Sequence, residues 1–147
     1  MPAERSAGII FFINTPQGRK YLIVRSARNI PGRPEFWDIP KGQLEKGEKG
    51  IDAAMREGRE EAGVKNFSLM PEFKKTVRYF TRRDGKPVPK FVAVFLARAH
   101  ETKVELSWEH DKCQWATFSE AMQKLTTMKP ALEKADTFLS QPAPKHP

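Results

Sequence analysis

Residues 41–64 read "KGQLEKGEKGIDAAMREGREEAGV", a glycine-rich segment followed by residues with helical periodicity. Small and apolar residues recur there at spacings of three and four, at Ile51, Ala54, Met55, Gly58 and Ala62. This spacing places them on one face of a helix, and Gly63 stands where a C-terminal cap belongs. We therefore predict a helix that begins near Ile51, ends before Gly63 and buries this small apolar stripe.

Three glutamates, Glu57, Glu60 and Glu61, project from another face of this helix, because residues three and four apart are neighbours on its surface. An acidic face is usually solvated and paired with basic residues, as Arg56 and Glu60 are at i,i+4. No local charge neutralises all three together with Glu48, one loop earlier. Clustered carboxylates favour Mg²⁺ or Mn²⁺, which hold substrate phosphates at their remaining positions, and the lack of His and Cys argues against zinc.

Strand patterns lie on both sides of this segment. The runs "GIIFFI" and "YLIV", separated by "NTPQGR", predict a β-hairpin. A turn-rich loop is expected at Ser26–Glu35, followed by a short extended piece at "FWDIP". Residues 74–99 predict a second hairpin with its tip at Asp84–Pro89, because its flanks are rich in β-branched and aromatic residues.

The C-terminal part of the chain predicts one more strand and two helices. Trp115–Phe118 is the expected strand, Ser119 the cap of a helix to about Leu125, and Pro130 part of the first turn of the last helix. That helix has core spacing at Leu132, Ala135, Phe138 and Leu139. Because strands and helices are mixed in order, the predicted fold class is an α/β or α+β sandwich.

Composition and charge limit the class of protein. The 147 residues suffice for one domain, which we place at residues 1–140, with a Pro-rich tail at residues 141–147 that we predict to be disordered. The chain is 39% apolar and 30% charged, typical of a soluble globular protein without a membrane span. No secretory signal is visible, and the one cysteine, Cys113, is expected to be buried or inert, so we predict a cytoplasmic protein. A net charge of +8 favours anionic partners without choosing among them.

The spacing G-x5-E-x7-R-E-x-R-E-E-A-G-V, from Gly42 to Val64, resembles the Nudix box of the Nudix hydrolases. One position departs from the family pattern, because Gly58 stands where the family usually has a larger aliphatic residue. Glycine in a helix interior costs about 1 kcal/mol relative to alanine. We therefore expect either close packing of the helix against the sheet at Gly58 or a softer helix.

The resemblance implies the Nudix fold, a mixed β-sheet between helices, and Mg²⁺-dependent hydrolysis of a nucleoside diphosphate linked to another group. It implies that the three glutamates of the helix bind metal ions or orient the water, with Glu57 and Glu60 as catalytic residues alongside Arg56. Gly42 is expected to lend a backbone carbonyl to the metal. Glu48 is expected to buttress the loop and the helix with Arg56, and Gly63 to end the helix.

Beyond the box, "FWDIPKGQLEKGE" and "LSWEHDKCQW" resemble the corresponding stretches of the asymmetrical diadenosine tetraphosphate hydrolases. This resemblance implies that Glu109 is a further metal ligand and that His110 is a weaker candidate for a charge or proton donor. It implies a substrate site in which Tyr79 matches a family tyrosine, whereas Val94 replaces a second one. The candidate cations for the phosphate chain are Lys41, Lys90, Arg25 and Arg78.

Several functions remain open at this point. The first is cleavage of diadenosine tetraphosphate into ATP and AMP; a nucleoside triphosphate pyrophosphohydrolase and an RNA 5′-pyrophosphohydrolase are related alternatives. A nucleotide- or RNA-binding module without turnover is an alternative of another class, against which the intact carboxylates argue. We predict a monomer that acts on nucleotides, with RNA 5′ ends as further partners and no membrane contact. Trp37 either packs in the core or lines the nucleotide pocket, and Phe80 and Phe95 are expected in the core.

Overall fold

The computed structural model describes residues 3–26, 35–108 and 110–141. Most of the predicted loop and tail, and Glu109, lie outside these residues. The elements are β1 Glu4–Thr15, β2 Gly18–Ser26, β3 Trp37–Asp38, β4 Lys41–Gln43, α1 Gly50–Ala62, β5 Phe67–Leu69, β6 Lys75–Arg83, β7 Lys86–Ala99, β8 His110–Ala116, α2 Phe118–Lys124 and α3 Lys129–Ser140. The predicted α+β class is confirmed. None of the helices in the described ranges has the length and apolar character needed to cross a membrane.

Strand β1 is the centre of a mixed sheet of eight strands. It pairs antiparallel with β2, as the first predicted hairpin requires, and antiparallel with β4. It also pairs in parallel with β7, from Glu4 opposite Lys90 to Phe12 opposite Arg98. Strands β3 and β8 extend the sheet beyond β2, and β5 and β6 pair with β7. Because β1 is covered on both sides, it reads as an almost continuous apolar run.

Two apolar cores lie on opposite sides of this sheet, because successive side chains of a strand point to opposite faces. On the side that we call the α1 face, Ile9 and Phe11 pack with Ala53, Ala54 and other small residues of α1. On the other side, the α3 face, residues of β1 and β7 pack with α2 and α3; they include Ile10, Phe12, Val92, Val94, Leu96, Ala121, Leu132 and Ala135. The predicted core spacing of the last helix is confirmed.

Helix α1 begins and ends as the sequence predicts. Gly63 has a left-handed φ of +63°, and its N–H donates to the Arg59 carbonyl oxygen over 3.1 Å, which caps the helix. The prediction that the acids occupy a face away from the buried stripe is wrong for two of them. Glu57 and Glu61 are only 6% and 9% exposed, whereas Met55 is half-buried. The buried side of α1 therefore carries two carboxylates.

Gly58 packs directly on the central strand. A Cβ atom at this position would lie 2.7 Å from Phe11 Cζ and 3.1 Å from Ile9 Cγ2, and both side chains are fully buried. The sequence predicted either close packing of the helix at Gly58 or a softer helix, and the structure shows close packing. Glycine brings the helix axis near to β1 at this point.

We expect Gly58→Ala to lower the free energy of unfolding by about 1–2 kcal/mol, because the overpacking cost outweighs the gain in helix propensity. Gly50→Ala in the same helix is the matched control. Its Cβ would lie 3.6 Å from the nearest atoms, so we expect no loss and a gain of up to about 1 kcal/mol. Urea unfolding of both variants measures these changes. Equal stability of the two variants would contradict close packing at Gly58.

The second hairpin is tighter than predicted. Its turn consists of Asp84 and Gly85 alone, with φ angles of +52° and +75°, and β7 already begins at Lys86. Two successive residues with positive φ match the twist of the flanking strands, which favours this short connection. The predicted tip, which extended to Pro89, was therefore too long.

Three predictions for the C-terminal part need correction. Strand β8 begins at His110 and ends before Phe118, because Thr117 rather than Ser119 caps α2. Thr117 Oγ1 accepts from the Glu120 N–H over 3.1 Å, and Glu120 Oε1 accepts from the Thr117 N–H over 2.8 Å, forming a capping box. Cys113 is exposed rather than buried. Partial burial still raises the pKa of its thiol, so the thiol is not activated.

Candidate active site

Arg56 on α1 is the centre of an acidic cluster. Its Nε and Nη2 donate to the two carboxylate oxygens of Glu48, each over 2.9 Å. Its Nη1 donates to Glu57 Oε1 over 2.7 Å and to Glu60 Oε2 over 3.3 Å. The hydrogen bonds from Arg56 lower the pKa of Glu48 to about 2. One guanidinium therefore bonds three carboxylates and lies 3.7 Å from a fourth, that of Glu45, so its single charge is shared among them.

Arg56 also joins α1 to the loop that precedes it. Its Nη2 donates to the carbonyl oxygen of Gln43 over 3.2 Å, at the end of β4. Glu48 Oε1 in turn accepts from the Glu45 N–H over 3.0 Å. These contacts close residues 43–48 into a loop whose geometry depends on the planar fork of an arginine.

Gly42 makes room for Glu57. A Cβ atom at Gly42 would overlap the Glu57 carboxylate, which therefore lies directly against the main chain of β4. The side chain of Glu57 is 8% exposed. The sequence suggested a carbonyl role for Gly42, but it gave no reason for the missing side chain; the structure supplies one.

Glu61 contacts the segment before β8. Ser107 Oγ donates to Glu61 Oε2 over 3.0 Å, and the Ser107 N–H donates to the Glu61 carbonyl oxygen over 3.0 Å. His110 Nδ1 lies 3.1 Å from Glu61 Oε2. The structure thus brings His110 to the cluster, and it adds Ser107, which the "LSWEH" motif contained. Trp108, which lies between Ser107 and His110 in the sequence, has an indole that is 81% exposed.

A second cluster contains a predicted lysine and tyrosine. Lys41 Nζ donates to Tyr79 Oη over 3.0 Å, and Lys90 Nζ lies 6.0 Å from the centre of the Tyr79 ring. Lys41 Nζ also lies 3.2 Å from Asp38 Oδ2, a buried carboxylate that the sequence analysis missed within "FWDIPKG". Burial lowers the pKa of Lys41, but the charge of Asp38 and the bond to Tyr79 outweigh it, so this pKa is raised. Lys41 is therefore a lasting positive charge.

The two clusters adjoin at β3 and β4. Gly42 faces Glu57, and its neighbour Lys41 reaches Tyr79. Burial raises the pKa of Asp38, and the charges of Lys41 and His110 both oppose this rise. The carboxylates of the first cluster and the cations of the second are therefore neighbours at β3 and β4, at the edge of the sheet.

Arg25 and Trp37 are held by other contacts. Arg25 donates from Nε and Nη2 to both carboxylate oxygens of Asp111, over 2.9 and 2.6 Å, and from Nη1 to Glu35 Oε1 over 2.7 Å. It is 7% exposed, so its charge anchors the start of β8. Trp37 is 6% exposed and belongs to the α3-face core, with Lys124 Nζ 4.5 Å from its ring centre. Packing is confirmed for Trp37.

Arg78 and Phe80 lie on the opposite face of β6 from Tyr79. Arg78 Cζ lies 5.5 Å from the centre of the Phe80 ring. Phe80 is 60% exposed, so the prediction that it belongs to the core is wrong, whereas Phe95 is buried as predicted. The error arises because, among the residues that the structure describes, no helix covers the outer end of β6 on this face.

Oxygen donors dominate the acidic cluster, and this composition fits a hard divalent cation. In the ranges that the structure describes, no three His, Cys, Asp or Glu side chains converge on a metal position. The carboxylates of Glu57 and Glu61 contact Arg56, Ser107 and His110. The fit to a cation is seen at Gly42, where the missing Cβ lets a carboxylate and a main chain meet.

The NUDIX domain family matches residues 3–137, which is most of the chain. The chain belongs to the Nudix hydrolase family. The asymmetrical bis(5′-nucleosyl)-tetraphosphatase of Mus musculus is 34% identical over 131 residues, which cover 84% of each chain. The mRNA-decapping protein g5R of African swine fever virus (isolate Warthog/Namibia/Wart80/1980) is 35% identical over 81 residues, which cover 52% of this chain and 32% of that protein.

A crystal structure of a C. elegans Ap4A hydrolase binary complex superposes on this chain with a TM-score of 0.79 and 27% sequence identity. The superposition covers 94% of this chain and 98% of that chain. The predicted Nudix fold is therefore confirmed, as is the prediction that this chain is an enzyme of that family. Gly58 and Val94 are accommodated within the fold, the first against Phe11 and the second as a fully buried core residue.

Proposed function

We propose that this Nudix hydrolase cleaves diadenosine tetraphosphate into ATP and AMP in a reaction that requires Mg²⁺ or Mn²⁺. The observation that carries the proposal is the arrangement of β4, where Gly42 adjoins a carboxylate and Lys41 adjoins a tyrosine. Hydrolysis of a polyphosphate needs carboxylate oxygens that can hold divalent cations at the scissile phosphate, and cationic side chains along the rest of the chain. The mouse relative is an asymmetrical bis(5′-nucleosyl)-tetraphosphatase and the C. elegans protein is an Ap4A hydrolase, which agrees with this substrate.

Glu57, Glu60 and Glu61 are proposed to hold the divalent cations, with Glu109 and the main chain of Gly42. Bound cations neutralise phosphate charge and lower the pKa of water. Glu60 is the better placed of the two catalytic glutamates to accept the proton of water, because it is 60% exposed and its contact with Arg56 is longer. Glu57 is fixed against β4. Arg56 positions both carboxylates, and Glu48 holds Arg56.

Lys41, Tyr79 and Lys90 are proposed to grip the phosphates that are not cut. Lysine ammonium groups act as point charges for phosphate oxygens, and Tyr79 Oη supplies a hydrogen bond. Trp108 offers an exposed flat surface for a base. Since Val94 is a buried aliphatic residue in place of a tyrosine, we expect weaker discrimination against shorter nucleotides.

RNA 5′ ends are the second candidate substrate. The match to the decapping protein g5R supports this candidate, although it covers about half of this chain. Release of pyrophosphate from nucleoside triphosphates is the remaining enzymatic alternative. The cytoplasmic location and the monomeric state stay predictions.

A substrate panel tests the proposal. We expect kcat/KM for diadenosine tetraphosphate to exceed that for ATP, dGTP and 5′-triphosphorylated or capped RNA, and to fall to background with EDTA. Chromatography with standards identifies the products. Preference for capped RNA would favour the second candidate, and activity that survives removal of all divalent cations would contradict the metal-dependent proposal.

A further inference from the structure

The α1 face of the sheet continues beyond the helix that covers it. Helix α1 begins at Gly50, beside Ala93 and Phe95. In the next row outward Arg5 and Arg78 are exposed and Phe91 is half-buried. In this row Arg78, Phe91 and Arg5 stand side by side on β6, β7 and β1, as the strand register shows. We call the open surface the cationic–aromatic face; it consists of Arg5, Lys74, Arg78, Phe80 and Phe91.

Positive groups stack on aromatic rings across this face. Arg5 Cζ lies 5.3 Å from the centre of the Phe91 ring, and Arg78 Cζ lies 5.5 Å from that of Phe80. At the covered end, Lys74 Nζ lies 6.0 Å from the Phe95 ring centre. A cleft of about 190 Å³ opens between Lys74, Phe91 and the start of α1. Flat rings and cations thus alternate over three strands.

Basic side chains dominate this side of the sheet. Arg78 and Arg82 of β6 point to it, and neither β6 nor β7 contains an acidic residue. Glu4 on β1 belongs to the other side of the sheet, where it is paired with Arg83 over 2.8 Å. Acidic residues lie at one border of the face, where Glu4, Glu45 and Glu48 line the cavity next to Arg5. The face therefore attracts anions.

Protection of an edge strand does not explain the exposed ring. Strand β6 pairs only with β7 in the described part of the chain, so charged residues there discourage pairing with other chains. A phenyl ring that is 60% exposed has the opposite effect. The exposed ring of Phe80 and the adjacent guanidinium of Arg78 are therefore accessible to a partner with both a flat apolar surface and negative charge.

We propose that the cationic–aromatic face binds single-stranded nucleic acid, separately from the nucleotide site. A polynucleotide has this combination, because its bases stack on aromatic and guanidinium planes while its phosphates meet lysine and arginine. The face also adjoins the active-site loop, since the Leu44 N–H donates to the Arg5 carbonyl oxygen over 3.3 Å. A bound strand is thereby held beside that loop.

Fluorescence anisotropy with a labelled 12-nucleotide strand tests the proposal. The full chain is titrated with RNA and with DNA of one sequence at several salt concentrations, without divalent cations. We expect Phe80→Ala to weaken binding about tenfold, as for the loss of one stacked base. Arg78→Gln is expected to reduce the slope of log K against log salt by roughly 0.7, as for one lost phosphate contact. Binding of RNA alone would indicate contact with the 2′-hydroxyl. Equal affinity for RNA and DNA would indicate contact with bases and phosphates, and either result supports nucleic-acid binding at this face.

The matched control is Arg98→Gln, which removes the same charge from an exposed position on β7 that is opposite Ser68 of β5. It is expected to leave affinity within twofold of the wild type. An equal loss in Arg98→Gln and Arg78→Gln, or no effect of Phe80→Ala, would overturn the proposal in favour of unspecific charge attraction. Displacement of the strand by excess AMP would overturn the separate location. Phe80-dependent binding to vesicles rich in phosphatidylserine, with no binding to the strand, would assign the face to a membrane and contradict the proposal.

Discussion

Glu57→Gln should lower kcat for diadenosine tetraphosphate about 10³-fold, which corresponds to about 4 kcal/mol of transition-state free energy. The change removes the negative charge of a carboxylate that lies against β4, with little change in volume. Glu60→Gln should have an effect of similar size, because it removes the proposed proton acceptor. Steady-state kinetics at saturating substrate and a range of Mg²⁺ concentrations measure both.

Glu45→Gln is the matched control for these variants. Glu45 faces the same guanidinium, with Oε1 3.7 Å from Arg56 Nε, but its side chain is 70% exposed. We expect its kcat to remain within threefold of the wild type. Thermal unfolding should show that all three variants fold. Wild-type turnover by Glu57→Gln at limiting Mg²⁺ would show that the proposed ligand set is wrong.

Gly42→Ala should reduce kcat/KM about 100-fold, or about 3 kcal/mol. The added methyl group overlaps the Glu57 carboxylate, so this side chain must turn away from β4. We expect a small change in melting temperature, because the displaced group is the end of a side chain rather than backbone. The variant therefore separates catalysis from stability.

Gly50→Ala, which adds a methyl group eight residues later without overlap, controls for this experiment. Its activity should equal that of the wild type. A Gly42→Ala enzyme with full activity and an unchanged response to Mg²⁺ would contradict the role given to the Glu57 position.

The box spacing predicted the family, the helix and its cap, because these depend on residues that are close in sequence. The burial of Glu57 could not be predicted in this way. It depends on contact with Gly42, fifteen positions earlier, on a strand whose position is set by pairing with β1. The i,i+4 pattern alone places all three glutamates on a solvated surface.

Residues distant in sequence also explain why the surroundings of Arg25 and Phe80 could not be predicted. Arg25 reads as a free cation in the sequence, but Asp111, 86 residues later, binds it in a bidentate pair. Alternation along β6 shows that Phe80 and Tyr79 face opposite sides, yet it does not show where α1 stops covering the sheet. By contrast, Leu132 and Ala135 were predicted correctly because an amphipathic helix has only one side to bury.

Product analysis after hydrolysis of diadenosine tetraphosphate with Mg²⁺ in ¹⁸O-enriched water shows where the enzyme cuts the phosphate chain. Off-centre attack on the phosphate chain predicts equal amounts of ATP and AMP, with the heavy oxygen in only one of the two products. Mass spectrometry of the separated nucleotides gives both results in one experiment. ADP as the sole product, or no hydrolysis beside rapid release of pyrophosphate from a nucleoside triphosphate, would contradict the account.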